Sequence, residues 1–167
     1  LSDSMLDQQR NNFTAAVCAN DDTAGIALVD LSTGDFSVDE IARDLLGDEI
    51  ERMAPAELLL SENSDETLLT HLTTRLPGVA VSHAENWHFE YNSARELLLE
   101  QFNVHSLKGF DCDDLDLGLR AAGAALFYLR DHQRESAIDH INRLRRRRRE
   151  DHLLLDAAAQ RNLDLLS

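Results

Sequence analysis

The chain has 167 residues, 43% of them hydrophobic, and a formal net charge of −15 at pH 7. This length accommodates one full hydrophobic core and a small appendage, in a protein of the α/β or α-rich class. The chain contains no run of about 18 apolar residues and no charged-then-apolar leader. We therefore expect no membrane span, no signal peptide and a cytoplasmic location.

The negative charge is concentrated in the N-terminal part. Residues 1–129 carry a net charge of −17, whereas residues 130–167 carry +2. The first part should therefore repel nucleic acid, because non-specific binding requires Lys and Arg side chains that neutralise phosphates. Cys18 and Cys112 lie far apart in the sequence, which predicts small free thiols in a reducing compartment. The chain begins with Leu1 rather than Met, which suggests a piece of a longer protein.

The N-terminal pattern predicts three antiparallel strands. Phe13 to Ala19 forms the first strand, and residues 25–38 form a β-hairpin whose turn is Ser32-Thr33-Gly34, with Gly34 available for a positive φ. Apolar residues occupy both faces of the first hairpin arm, which predicts a strand covered on both sides. One face carries Ile26 and Leu28, and the other carries Ala27, Val29 and Leu31.

The next stretch predicts crossover connections to two further strands. Asp39 caps a helix that Gly47 interrupts, Asp48 restarts it, and Pro55 prevents its continuation. Strands at 56–61 and 79–82 flank a helix that Ser64 caps and Pro77-Gly78 closes. Three antiparallel strands followed by two reached through crossovers predict an α/β fold with a ribonuclease-H-like mixed sheet, flanked by helices.

Two further helices follow. Ser93 and Glu96 fit a capping box, and Asp113-Asp114 are placed to cap a long helix. The apolar spacing of the long helix is regular, at Leu115, Leu119, Ala122, Leu126 and Leu129. Residues 138–144 are ambiguous, residues 151–156 resemble a short strand, and Ala157 to Leu166 predicts a helical C-terminal extension. This division gives one domain over residues 1–133 and the truncated start of another over residues 134–167.

Catalytic carboxylates are poorly represented where this fold would need them. Two-metal nucleases of this type hold metal ions with acids on the first strand, after the fourth and on later helices. Residues 14–19 contain no acid, and Asp30 and Asp35 flank a turn, where Asp is common for local reasons. Glu62 follows the fourth strand suitably. An independent ribonuclease-H-like, metal-dependent nuclease therefore stays open as an alternative.

Other candidate sites have simpler structural interpretations. His83 and His88 lack a third ligand at regular spacing, which favours ordinary histidines over a zinc site. Gly118 and Gly123 have the gap of a P-loop, but Ala124-Ala125 stand where Lys and Ser/Thr are required, so helix packing is favoured. The aromatic group of Trp87, His88, Phe89 and Tyr91 is either a binding patch or, as we favour, a loop held to the core.

The basic run Arg145 to Arg149 could contact phosphate, but a solvated or acid-paired role is favoured on so acidic a chain. A generic acidic protein-interaction module is therefore a further alternative to the nuclease.

Several stretches together resemble the MutS family of bacterial DNA mismatch-repair proteins. They span essentially the whole chain and comprise residues 11–17, 28–36, 55–59, 107–110, 121–126 and 148–165. The last, which includes the sequence Asp151-His152-Leu153-Leu154-Leu155-Asp156, resembles the family's junction into its lever and core region. The resemblance implies that residues 1 to about 133 are the connector domain, which in this family is ribonuclease-H-like and non-catalytic.

The resemblance also implies a function in coupling. In the family, the connector links the mismatch-binding and lever/ATPase regions, transmits nucleotide-dependent rearrangement and offers a docking surface to MutL. The helix beginning at Ser93 resembles the docking segment, which implies that Arg95, Glu96, Leu97 and Gln101 bind the partner. The other implied partners are the remaining domains of the same chain, mismatched DNA through the full-length protein, and a second subunit of a homodimer.

The resemblance implies no catalytic residue, no metal and no cofactor in this stretch. ATP and Mg²⁺ belong to the full-length family, and neither a Phe-x-Glu mismatch-reading motif nor a Walker-type ATP site occurs in the sequence. This stretch is therefore expected neither to read a mismatch nor to hydrolyse ATP.

Overall fold

The structure, a computed structural model, describes residues 12–132 and 138–147. The strand predicted at residues 151–156 and the helix predicted from Ala157 to Leu166 lie outside these ranges. Six strands occur in the described part: β1 Phe13–Ala19, β2 Thr23–Asp30, β3 Asp35–Ala42, β4 Glu57–Ser61, β5 Ala80–Ala84 and β6 Arg145–Arg146. The α-helices are α1 Leu46–Met53, α2 Glu66–Arg75, α3 Tyr91–Phe102 and α4 Leu117–His132, with short 3-10 turns at Arg43–Leu45, Asn86–Phe89 and Lys108–Phe110.

The strands form one sheet in the order β5-β4-β1-β2-β3-β6. β1, β2 and β3 pair antiparallel, whereas β4 lies parallel to β1, and β5 parallel to β4. The connections from β3 to β4 and from β4 to β5 each pass through a helix, as parallel pairing requires. The predicted ribonuclease-H-like fold class, a mixed sheet flanked by helices, is therefore confirmed.

The sheet is covered on both faces, as the hairpin pattern predicted. Ile26 and Leu28 pack in a core with the buried residues of α1 and α2. Ala27 and Val29 face the opposite core, which contains the buried residues of α3 and α4. The turn between β2 and β3 has Gly34 at φ +77°, as predicted.

The long helix begins later, and is capped differently, than the sequence predicted. Asp113 and Asp114 do not cap it, because α4 begins at Leu117. Instead, Glu40 on β3 accepts hydrogen bonds through Oε1 from the backbone N–H groups of Asp116, at 2.6 Å, and Gly118, at 2.8 Å. A carboxylate at a helix N-terminus satisfies orphan donors and complements the helix dipole. The cap therefore comes from an element 76 residues away in sequence.

Gly25 allows the start of α4 to lie directly on the sheet. Gly25 is the cross-strand partner of Glu40. A Cβ at this position would overlap the backbone of Leu117 and Gly118, so only glycine permits the approach. Together, Gly25 and Glu40 fix where α4 meets the sheet.

The helix predicted to begin at Asp39 is wrong. β3 continues to Ala42, because its ladder with β2 extends to the pair Thr23 and Ala42. The α-helix begins at Leu46, and Gly47 lies inside it rather than interrupting it. A Cβ at Gly47 would lie 2.6 Å from His71 Nε2, so the glycine makes room for α2.

Two further predicted caps are also wrong. Asp65, not Ser64, caps α2, and its carboxylate accepts a hydrogen bond from the Leu68 N–H at 2.6 Å. The capping box at Ser93 does not form, because α3 begins at Tyr91 and its N-cap residue makes no side-chain hydrogen bond. In both cases the helix is of the predicted type and only its start has moved.

Residues 138–147 pack against the same domain. Ile138, Ile141 and Leu144 are each at most 4% exposed and belong to the core beneath α3 and α4. β6 then pairs parallel with β3, which places Arg145 and Arg146 in the sheet, although their polar sequence gave no strand pattern. The predicted domain boundary after residue 133 stays a prediction. No helix of the described residues is long and apolar enough to cross a membrane.

Candidate functional site

Helix α3 carries the four residues that the resemblance implied for partner binding, and these residues differ in how far they reach the surface. Glu96 is exposed and Arg95 is half-buried, so both side chains reach the surface. Leu97 is only 5% exposed and belongs to the core. The face that α3 offers to solvent is therefore formed by polar and acidic side chains, namely Asn92, Glu96, Glu100 and Asn103.

Arg95 lies beside an acidic partner. Its Nη2 is 3.8 Å from Asp113 Oδ1, and each side chain is about one-third exposed, at 33% and 34%. An ion pair this exposed contributes little stability. Arg95 is thus available for a competing carboxylate at modest cost.

Gln101 joins α3 to the C-terminal described segment. Its Nε2 donates hydrogen bonds to the carbonyl oxygens of Ile138, at 3.3 Å, and Ile141, at 3.0 Å. Its Oε1 accepts a hydrogen bond from Arg130 Nη2 at 2.9 Å. Both ends of this amide are engaged, so Gln101 holds residues 138–141 against α3 and α4. No local sequence signal indicated this role.

The residues considered for a nuclease are not brought together. Asp30 lies opposite Phe13 at the beginning of β1, whereas Glu62 follows the end of β4, which runs parallel to β1. The two carboxylates therefore lie at opposite ends of the sheet. Asp30 serves the turn, since Oδ1 accepts hydrogen bonds from the Ser32 N–H at 2.9 Å and its hydroxyl at 2.6 Å.

A polar cavity of about 260 Å³ lies where β1 and β4 end. Its lining includes Arg120 from α4 and Cys18 from β1, with small polar side chains and Asp65 from the loop after β4. Arg120 Nε donates a hydrogen bond to Asp116 at 2.8 Å. Within the described residues, no three His, Cys, Asp or Glu side chains converge as metal ligands.

The cysteines are free and differ in exposure. Cys112 is buried and Cys18 is partly buried. Burial raises the pKa of the Cys18 thiol to about 11, with Arg120 opposing the shift. The favoured interpretation of two isolated thiols agrees with this placement.

The candidate histidines and glycines also have structural settings. His83 is exposed on the edge strand β5, and His88 is buried in the turn after it. Gly118 and Gly123 both lie inside α4, where their missing side chains admit Val38 and Ala94. Helix packing, the favoured interpretation of these glycines, is therefore confirmed.

Within the described part of the arginine run, Arg145 and Arg146 are paired with acids. Arg145 Nη2 lies 3.7 Å from Asp35 Oδ2, and Arg146 Nη1 donates to Asp114 Oδ1 at 2.8 Å. Arg147 is 8% exposed, and its Nη1 contacts Met53 Sδ at 3.2 Å.

One polar cluster had no sequence signal. Glu57 Oε2 on β4 accepts short hydrogen bonds from the hydroxyls of Tyr128 and Ser82, each at 2.6 Å. Burial, followed by the bond to the Glu57 carboxylate, raises the pKa of the Tyr128 hydroxyl. The cluster ties the C-terminal half of α4 to the edge of the sheet, which is a structural role.

The fold and the surface of α3 together define a class of protein. The chain is an α/β domain with a doubly covered, ribonuclease-H-like sheet, and helix α3 presents a polar and acidic face to solvent. The family described as MutS domain II matches residues 12–142, so the chain belongs to that family. This domain is the connector region of a DNA mismatch-repair protein.

A relative supports the same assignment. The DNA mismatch repair protein MutS of Salinibacter ruber (strain DSM 13855 / M31) is 39% identical to the chain over 168 residues. The alignment covers 98% of this chain but 18% of the relative. The chain therefore spans less than one-fifth of the length of the relative that it matches.

Proposed function

We propose that this domain couples the mismatch-binding and lever/ATPase regions of a longer mismatch-repair protein, and that α3 offers a docking surface to MutL. The match of residues 12–142 to MutS domain II carries the proposal. The covered sheet supports it, because a rigid body with cores on both faces can pass displacement between its ends. Transmission of a nucleotide-dependent rearrangement is then a rigid-body task.

The docking surface is proposed to centre on Glu96 and Arg95. Both reach the surface from the middle of α3, whereas Leu97 supports them from the core and Gln101 fixes the helix to residues 138–141. We therefore assign direct contact to the first pair. The second pair acts as positioning residues.

The test is binding of MutL to the 167-residue chain, measured by calorimetry. Glu96→Arg and Arg95→Glu should each weaken binding about tenfold, because charge reversal places like charges across the interface. Glu66→Arg is the matched control, since Glu66 is also exposed but belongs to α2, on the opposite face of the sheet. No binding, even with the remaining domains of the mismatch-repair protein added, would contradict the docking proposal.

Coupling needs a separate test in the longer protein. This chain can replace the matching segment of the Salinibacter ruber protein, to which it is 39% identical. The chimaera should retain ATP-dependent recruitment of MutL, and Gln101→Ala should reduce that dependence while leaving ATP hydrolysis without MutL unchanged. A chimaera that hydrolyses ATP normally but recruits MutL independently of nucleotide would contradict transmission through this domain.

ATP and Mg²⁺ are proposed for the longer protein and not for these residues. The candidate glycines of a phosphate loop, Gly118 and Gly123, are buried in α4 against Val38 and Ala94 and cannot surround a phosphate. DNA should bind this chain weakly or not at all, because residues 1–129 carry a charge of −17. Metal-dependent DNA cleavage lost in Asp30→Asn or Glu62→Gln would overturn the connector assignment in favour of a nuclease.

A further inference from the structure

Trp87 is presented to solvent by a rigid aromatic support. Trp87 is 48% exposed and lies in the 3-10 turn Asn86–Phe89, which follows the edge strand β5. The indole meets His88 edge-on at a centroid distance of 4.1 Å and Phe127 at 5.0 Å. Its Nε1–H donates a hydrogen bond to Glu85 Oε2 at 2.6 Å. Two ring contacts and one hydrogen bond thus fix the orientation of a ring that remains half in water.

The support beneath Trp87 contains a polar atom without a partner. His88 is 9% exposed and stacks on Phe127 at 4.8 Å with an interplanar angle of 17°. Among the described residues, His88 Nδ1 is the buried side-chain nitrogen or oxygen that has no hydrogen bond. A buried, unsatisfied nitrogen lowers stability, and such groups in native structures call for a functional explanation.

We propose that Trp87, supported by His88 and Phe127, is a docking platform for a protein segment that presents an arginine side chain. A half-exposed, pre-oriented Trp is the residue type that dominates protein interfaces, because ordering it costs little on binding. Trp87 belongs to a different element from Glu96, namely the 3-10 turn Asn86–Phe89 that precedes α3, so separate variants test the two surfaces.

Charge selects the chemistry of the partner. Glu85 lies against the indole edge, Glu90 follows the turn, and residues 84–94 contain no Lys or Arg. Arg120 lines a cavity with Asn86 and Phe89 of the turn, but its Nε is engaged with Asp116 at 2.8 Å. The Glu62 N–H bonds to the Ala84 carbonyl oxygen at 2.8 Å, which adds a third acid beside the turn. A nucleobase could also stack on Trp87, but it would bring phosphates into this acidic field.

Arginine fits the platform better than lysine. Its planar guanidinium can stack on the indole face while its N–H groups reach the Glu85 carboxylate. Lysine offers a compact charge that cannot stack in this manner. The occupant is therefore a basic protein segment with arginine at the point of contact.

Trp87 is the only tryptophan in the chain, so its fluorescence reports the site directly. The probe is a capped hexapeptide of alternating glycine and arginine, compared with matched glycine–lysine and glycine–glutamine peptides. The arginine peptide should change Trp87 emission saturably and bind at least threefold more tightly than the lysine peptide. The glutamine peptide should not change Trp87 emission.

Variants locate the binding by calorimetry. Trp87→Leu should weaken arginine-peptide binding at least fivefold, Trp87→Phe by a smaller factor, and Glu85→Gln about threefold. Leu45→Ala is the control, because Leu45 is, like Trp87, a large hydrophobic side chain that is exposed, at 55%, and its loss should leave the affinity unchanged. Circular dichroism verifies that each variant keeps the fold.

Three outcomes would overturn the proposal. Equal affinity of the arginine peptide for the parent chain and Trp87→Leu would place binding elsewhere. Trp87-dependent binding of a deoxythymidine oligonucleotide, without binding of the peptide, would identify a nucleobase platform. Concentration-dependent sedimentation lost in Trp87→Leu would identify a second copy of the chain as the occupant. None of these outcomes affects the Glu96 test for MutL.

Discussion

Replacing Glu40 by alanine tests whether a side chain on β3 holds the start of α4. Glu40 Oε1 accepts hydrogen bonds from the N–H groups of Asp116 and Gly118, at 2.6 and 2.8 Å. These are charge-assisted bonds to a helix N-terminus. Removal of the carboxylate leaves the Asp116 N–H to water, whereas the Gly118 N–H, in a buried residue, loses its partner.

The magnitude follows from two effects. Loss of an N-cap acceptor costs about 1 kcal/mol, and up to about 2 kcal/mol. Loss of the interaction with the helix dipole costs about 0.3–1 kcal/mol more. The Asp116 N–H is exposed enough to bond to water, so the full cost of two buried donors does not apply. We expect Glu40→Ala to lower the free energy of unfolding by about 2 kcal/mol. Glu40→Gln, which keeps an acceptor without the charge, should lower it by about 1 kcal/mol.

Urea unfolding followed by circular dichroism measures both changes. In a chain of this size, about 2 kcal/mol corresponds to a fall in Tm of roughly 4–8 °C. Glu62→Ala is the control, because this exposed carboxylate should alter the free energy of unfolding by less than about 0.5 kcal/mol. A Glu40→Ala variant as stable as that control would refute the role of Glu40 as the cap of α4.

Three further predictions concern other contacts. Gly123→Ala should destabilise the chain by about 1–3 kcal/mol in urea unfolding, because its Cβ would overlap Ala94, an overpacking cost that exceeds the gain in helix propensity. Gln101→Ala should speed hydrogen exchange in residues 138–147 at least tenfold, and unchanged exchange there would contradict the clamp. Cys18 should react with a thiol reagent at pH 8 at least tenfold more slowly than a free cysteine, because its raised pKa, about 11, leaves less thiolate. A reaction rate equal to that of glutathione would contradict the shielded position of Cys18.

Periodic patterns predicted the core because they depend on one element at a time. The alternation in β2 placed Ile26 and Val29 on opposite faces, and both are buried in separate cores. The spacing of Leu119 and Leu126 in α4 identified a buried helical stripe correctly. Each pattern needs a partner surface but not the identity of that surface.

Helix starts were predicted poorly because a local capping signal competes with contacts from distant residues. The Asp39 side chain could cap a helix, but β3 pairs with β2 as far as Ala42, so Asp39 and the residues after it remain in the sheet. Asp113 and Asp114 precede a helix that is capped instead by Glu40. No window of sequence around α4 contains that information.

In the candidate site, too, features that depend on one helix were predictable, whereas contacts with distant residues were not. The exposed position of Glu96 follows from helical spacing, whereas the double engagement of Gln101 depends on residues 37 and 40 positions away. β6 was not predicted for a similar reason, since Arg145 and Arg146 form a strand only because β3 offers an unpaired edge.

The position of Gln101 bears on how a connector domain could pass on a signal. Its side-chain amide forms hydrogen bonds with the carbonyl oxygens of Ile138 and Ile141 and with Arg130. A displacement of α3 must therefore either break these bonds or move the segment that continues into β6. The described part of that segment ends at Arg147, whose Nη1 contacts Met53 Sδ in the core on the opposite face of the sheet. Under the proposed function, a partner bound to Glu96 therefore acts on residues 138–147 through Gln101, whose hydrogen bonds are individually modest. Coupling of this kind is expected to be 1–3 kcal/mol, roughly, which is large enough to bias two states and small enough to reverse.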